Sequence, residues 1–307
     1  MPTNLQAGES DAVGQHRWVW PGFALPGVIW LLLLFLIPFY AIFAVAMGGT
    51  DPVFGRPVPE WNPIYWDFSS FSAVFADLFG GQLGTIAVRT VIYVAIASLL
   101  CLLIGYPVAY FVSRRSGKWR GIWLLAILAP FWINYLMRMM AWINLLSPGA
   151  QVDQVFFFFG LDPPSWLAGH HLVVVLGLVY GYIPFLILPL FGALDRIDEA
   201  TLEASRDLGA NPARTFWRVT LPLSKQGILA GLVIIMLPMF GDYYTPNLLS
   251  GSPRTVMLGN TIDQYINQTT SQGGTGAALT IVLMMFVAVL MAYYLVTISK
   301  ATKEARE

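Results

Sequence analysis

The sequence predicts an all-α integral membrane protein with six transmembrane helices and both termini in the cytoplasm, on three observations. Charged residues make up 11% of the 307 and hydrophobic residues 57%, whereas a soluble chain carries roughly a quarter charged; the main solvent is therefore lipid. Six runs reach the ~20 mostly apolar residues that a spanning helix needs. Basic residues gather in alternate loops, as cytoplasmic retention of Lys and Arg requires. A formal net charge of zero argues against a nucleic-acid binder, which shows a basic excess. Cys101 is the one cysteine; it excludes a disulfide framework or a Cys-based metal site and reads as a buried small hydrophobe.

Taken in order, an N-terminal arm (1–23) precedes the first run, 24–47, which holds "LPGVIWLLLLFLIPFYAIFAVAM". That run is long and lacks a small-residue cleavage site, so it reads as a true span and not a signal peptide. The second is 85–112 and the third 121–146, the latter interrupted only by Arg138. The fourth is 171–194, the fifth 226–249 with one acid, Asp242, and the sixth 276–299, ahead of a short tail, 300–307. Together 24–299 form one permeation domain with no internal repeat and no second soluble unit.

Orientation follows from the loops. Arg114, Arg115, Lys118 and Arg120 lie between spans two and three; Arg196, Arg206, Arg214, Arg218 and Lys225 lie between four and five. Lys300, Lys303 and Arg306 occupy the tail and Arg17 the arm, leaving only Arg56 and Arg254 on the other side. The outer loops are then 48–84, 147–170 and 250–275, rich in Pro, Gly, Trp and acids. They serve either to receive a soluble partner or simply as capped surface. Within them "FFFFGLDPPSW" is too short to span and reads as an interfacial segment.

The loop 195–225 is the charged exception in an apolar chain, and its helix punctuation is explicit. Asp198 is placed to N-cap a helix with Glu199 in the first turn. Gly209 supplies the residue that takes a left-handed conformation and stops it. Asn211-Pro212 restarts a helix, and Leu221-Pro222 leads back to the membrane. A compact helical hairpin on the cytoplasmic surface results. By spacing alone it is either a solvated connector or a docking device.

Its residues carry a specific resemblance. The permease subunits of ABC importers share a cytoplasmic signature: Glu-Ala-Ala, three residues, Gly, nine residues, Ile, one residue, Leu-Pro. Here the segment reads Glu203-Ala204-Ser205, Gly209, Val219 and Leu221-Pro222 with the same spacings; Ser205 and Val219 depart from the usual Ala and Ile. The stretches "LLIGYPVAYFVSR", "PFWINYLMRMMAW", "GLVYGYIPFLILPLFGALDRID" and "LPMFGDYYTPNLLSG" extend the likeness over most of the membrane region and are most similar to spermidine/putrescine permeases. The resemblance implies the architecture of a type I importer permease in a bacterial cell membrane. It also implies that 203–222 is a coupling helix seated on an ATPase. A second homologous permease, two ATP-binding subunits that hold ATP and Mg, and an extracytoplasmic solute-binding protein are implied partners. The chain itself has no Walker A loop: Gly117-Lys118 is followed by Trp119, with Val112 where a Gly is required.

Ionisable residues inside spans mark candidate pathway positions. Asp242 sits in "LPMFGDYYTPN", between Pro238 and Pro246, where a broken helix is tolerated if it lines a cavity. A carboxylate beside Tyr243 and Tyr244 suits an organic ammonium by charge and cation–π attraction; alternatively it neutralises Arg138 or caps a helix end. Trp132 and Tyr135 are candidate aromatic walls. Arg138 shares a helical face with Phe131, Asn134, Tyr135 and Trp142 and is expected to form a structural or gating ion pair, since it would repel a cation. Arg89 reads as an interface anchor, and His170-His171 as interfacial residues and not a metal site. An ion-coupled secondary transporter would show inverted repeats and several in-span acids, and an intramembrane enzyme an in-span catalytic constellation. Neither pattern is present.

Overall fold

In the computed structural model, residues 19–268 and 270–304 are described. Residues 1–18 of the expected arm, with Arg17, and Arg306 of the tail lie outside them. Residues 19–23 already belong to the first helix.

That helix, α1 (Val19–Ala46), runs into a two-residue antiparallel ladder, β1 (Gly49–Thr50) with β2 (Pro57–Val58). A surface helix, α2 (Ser69–Gly80), leads to the long α3 (Gln82–Arg114). Next come α4 (Arg120–Leu128), α5 (Tyr135–Leu146), α6 (Gln151–Phe158) and α7 (His171–Asp195). The charged loop holds α8 (Glu199–Asp207), α9 (Pro212–Thr215), a π-turn at Phe216–Thr220 and α10 (Leu221–Leu223). The chain ends with α11 (Lys225–Phe240), α12 (Tyr244–Leu249), α13 (Leu258–Asp263) and α14 (Gly273–Glu304).

Among the described residues, four helices are long and apolar enough to cross a membrane: Gly22–Ala46 within α1, α3, α7, and Gly273–Thr297 within α14. The third and fifth apolar runs differ from expectation. The third, 121–146, is not one straight helix; its two arms, Gly117–Trp132 and Tyr135–Phe158, meet at 86°. The cause is local. Pro130 lies in a 3₁₀ turn, Ile133 is extended, and Asn134 accepts the amide of Leu136 at 2.9 Å, starting a new helix. The fifth run, 226–249, stops as a helix at Phe240, where Gly241 caps it, and resumes at Tyr244. A further bend of 60° separates Pro212–Leu223 from Lys225–Phe240.

The central core is α3, α7 and α11. Small residues at the seam, Ala97, Cys101 and Ala109, are fully buried against Leu178, Leu186 and Leu190 of α7 and Ile235 and Met239 of α11. Between helices bathed in lipid, such close contact replaces the hydrophobic effect as the source of cohesion. Cys101 packs there as expected, its thiol 3.7 Å from the Val179 carbonyl. At one end of the core the Nη2 of Arg114 donates to the carbonyls of Leu194 (2.6 Å) and Ile197 (2.7 Å), satisfying the C-terminal end of α7 with a cation. A second cluster joins the end of α1 to α2 and the start of α14 through Ala46, Val74, Ala277 and Ile281.

Candidate functional site: a charged hairpin and a polar cavity

The hairpin has the punctuation its residues spell. Asp198 accepts the amide of Ala200 at 3.3 Å at the start of α8, and Asn211 accepts that of Arg214 at 2.7 Å at the start of α9. Gly209 has φ +80°. Around it the amide of Gly209 donates to Arg206 and that of Ala210 to Ser205, the paired bonds of a Schellman stop. Leu202 faces the core, whereas Glu203, Ala204 and Pro222 are exposed and Leu221 is half-buried. At the tip Leu208 is 89% exposed. Ser205, where the signature has Ala, donates to the Leu202 carbonyl and lies 3.0 Å from the Thr215 hydroxyl, so it ties α8 to α9. Phe216 sets its ring edge-on against Tyr106 and Tyr110 of α3. Tyr106 also hydrogen-bonds Ser224 at 2.9 Å, at the break before α11. A cavity of about 730 Å³ beside the hairpin is lined by Arg196, Thr201 and Gln226 among others.

A second cavity, of about 550 Å³, opens where the third and fifth runs break. Its walls are Asn134, Tyr135, Leu136 and Arg138 from the start of α5, Gly181, Tyr182 and Phe185 from α7, and Pro238 and residues 241–244. Asp242 is 6% exposed. Its Oδ1 accepts the amide of Thr245 at 3.0 Å; its Oδ2 accepts the hydroxyls of Thr245 (2.6 Å), Tyr182 (3.2 Å) and Tyr135 (3.4 Å). The Tyr135 hydroxyl also bonds that of Thr245. Asp242 therefore caps α12 and gathers hydroxyls from α5 and α7. Gly181 makes this fit possible, because a Cβ there would stand 3.1 Å from the Tyr135 ring. Tyr243 and Tyr244 stack with ring centroids 4.0 Å apart, and Tyr244 lies 6.4 Å from Tyr135.

Arg138 departs from expectation. Among the described residues no carboxylate lies within ion-pair distance of it; the ion pair present joins Arg120 to Asp195. Its guanidinium carbon instead lies 4.2 Å from the ring centroid of Phe131, 5.4 Å from Tyr135 and 5.7 Å from Tyr180. The reason is geometric: the bend at 133–134 folds Phe131 back over α5, so rings reach the guanidinium before any acid does. Trp132 is 78% exposed on the turn and lines no part of the cavity, which removes it from the wall. Arg89 is more than an interface anchor; it donates to the carbonyls of Val256 (2.8 Å) and Arg254 (2.5 Å), holding the loop before α13 to α3. His171 bonds the Tyr93 hydroxyl, and no group of three metal-ligating side chains occurs among the described residues.

The sequence reading missed Tyr182, Tyr180 and Thr245. Thr245 had a local signal, since an Asp ahead of a helix accepts the amides two or three residues on. Tyr180 and Tyr182 had none beyond their span.

Apolar helices whose breaks surround a polar cavity, with a charged hairpin at one end, describe a multi-pass membrane protein with a polar interior site. A family described as "Binding-protein-dependent transport system inner membrane component" matches residues 101–302, and the chain belongs to it. The spermidine/putrescine transport system permease protein PotB of Haemophilus influenzae is 32% identical over 266 residues, covering 86% of this chain and 89% of that one. PotB of Escherichia coli is 34% identical over 192 residues, covering 62% and 70%. Among solved structures, a bacterial alginate ABC transporter in complex with alginate pentasaccharide-bound periplasmic protein aligns with TM-score 0.72 at 18% identity, over 91% of this chain and 93% of that one; it shares the fold. The chain is thus a translocation subunit, resident in the bacterial inner membrane.

Proposed function

We propose that this permease forms half of the pathway of an ATP-driven ABC importer for a small ammonium-bearing solute, of the polyamine class. The observation that carries the reading is Asp242: a carboxylate in the wall of a cavity at two broken runs, beside the stacked Tyr243 and Tyr244. Only neutral donors of this chain reach it among the described residues, so its charge is left to act on the cavity. The identity to spermidine/putrescine permeases supports the solute class.

We take the bent third run and the fifth run, 226–249, as one crossing each, which with the four continuous helices makes six spans, and place both termini and the hairpin in the cytoplasm. Glu203, Ala204, Ser205, Gly209, Leu221 and Pro222 then form the seat on an ATPase subunit. Two copies of that subunit bind ATP and Mg and drive closure. A second, homologous permease completes the pathway, and an extracytoplasmic solute-binding protein delivers the solute to the outer loops.

Purification from membranes followed by identification of the associated subunits tests the engine; recovery of the chain with no ATPase would sink it. Thermal shift of the associated binding protein against putrescine and spermidine tests the solute, and no stabilisation by either would remove the polyamine class. A different small polar solute is the second reading, and it draws on Asp242 already accepting four protein hydrogen bonds.

A further inference from the structure

Arg138 and Asp242 line the same cavity, yet no ion pair joins them. Arg138 is 9% exposed, and its Nε and Nη1 are buried without a hydrogen-bond partner. Three aromatic rings surround it at 4.2–5.7 Å. Aromatic faces hold a cation through their quadrupole but carry no net charge to cancel it. Tyr135 separates the two groups: its ring lies beside the guanidinium while its hydroxyl belongs to the Asp242–Thr245 cluster. A charge held without an ion-pair partner in a wall of low dielectric acts across the whole cavity, not only on what touches it.

From this geometry we infer that Arg138 is a specificity-determining residue of the pathway. Its field opposes the attraction of Asp242 and the stacked tyrosines, and sets how long an ammonium-bearing solute stays. The opposition grows with each ammonium group the solute carries. A conducting site must bind well enough to admit its solute and weakly enough to release it. Asp242 with Tyr243 and Tyr244 alone would retain a polycation; Arg138 supplies the release. The sign of the solute's charge rests on the proposed function, but the field itself does not.

Two measurements on the assembled transporter separate these parts. In a Cys101→Ala background, Leu136→Cys puts a reactive thiol on the exposed part of the cavity wall. Its modification rates are compared for a cationic and an anionic methanethiosulfonate of equal size. Arg138→Met keeps an unbranched side chain against the rings without charge, and Arg138→Lys keeps the charge. The cationic-to-anionic rate ratio is expected to rise about tenfold with Met and to stay within about twofold with Lys. An unchanged ratio with Met would mean that a carboxylate from another subunit already neutralises Arg138, and overturns the inference.

Equilibrium binding of putrescine and spermidine without ATP is the second measurement. Arg138→Met is expected to tighten both, spermidine more, and to slow turnover. A shifted rate ratio with no gain in spermidine affinity overturns the residence role. A shifted ratio with no binding of either amine, and no change on Asp242→Asn, removes the cationic-solute reading and the specificity role with it, leaving the field established.

Discussion

The hairpin and the cavity are built by opposite strategies. In the hairpin the contacts that start and stop its helices are local: Asp198 to Ala200, Asn211 to Arg214, Ser205 to Thr215, and a glycine stop between them, while Phe216 seats the finished unit on Tyr106 and Tyr110 of α3. In the cavity the decisive contacts cross the chain, with Asp242 meeting Tyr182 60 residues away and Tyr135 107 residues away. A locally specified unit keeps its shape while it moves as a body. A site assembled from three separate stretches changes whenever any of them moves. Under the proposed function, that division suits a seat that receives force from an ATPase and a pathway that opens and closes.

The comparison breaks most readily at Gly209. With φ +80°, a Gly209→Val substitution costs about 1–3 kcal/mol locally and reshapes the elbow. Uptake should fall to background while the complex inserts and hydrolyses ATP; normal uptake per ATP would show that the elbow carries no coupling.

Asp242→Ala comes next, leaving the hydroxyls of Tyr182 and Thr245 and an amide without their acceptor, at about 1–3 kcal/mol per group. Several degrees should be lost from the melting temperature in detergent, and an unchanged value would show that the cluster does not hold α5, α7 and α12 together. Gly181→Val should cost about 1–3 kcal/mol by crowding Tyr135. Gly192→Ala on the same helix has open space and serves as its neutral control. The smallest effect is expected from Ser205→Ala. It loses the Thr215 contact but gains helix propensity, for a net change of about 1 kcal/mol or less. Amide exchange in α8 and α9 would register it; unchanged exchange would show that the Ser205–Thr215 contact does not tie the two helices together.

The same contrast explains what the sequence made legible. Asp198, Gly209, Asn211 and Pro212 act on neighbours within four residues, so their structural roles could be read in place. The four continuous apolar helices were equally plain, because length and hydropathy suffice. The bend at 133–134 was hidden by composition. Pro130 and Asn134 signalled it, but the run stays apolar through the break. Arg138 invited an acid partner because charge is what a sequence displays. That Phe131 and Tyr180 enclose it depends on how α5 folds back toward α7. Trp132 failed as a wall residue for the same reason, since the turn directs it outward.

One feature of the fold bears on how the protein is made. Only 6% of the apolar window in α1 is buried by the rest of the chain, and its contacts gather at its end, where Ala44 and Ala46 meet later elements. A helix that owes so little of its burial to the rest of its own chain can enter the bilayer during synthesis before its successors exist. Its 28 residues extend about 42 Å, more than the ~30 Å hydrocarbon core, so tilt absorbs the excess. The first apolar helix is thus able to insert as an anchor without waiting for the α3–α7–α11 core.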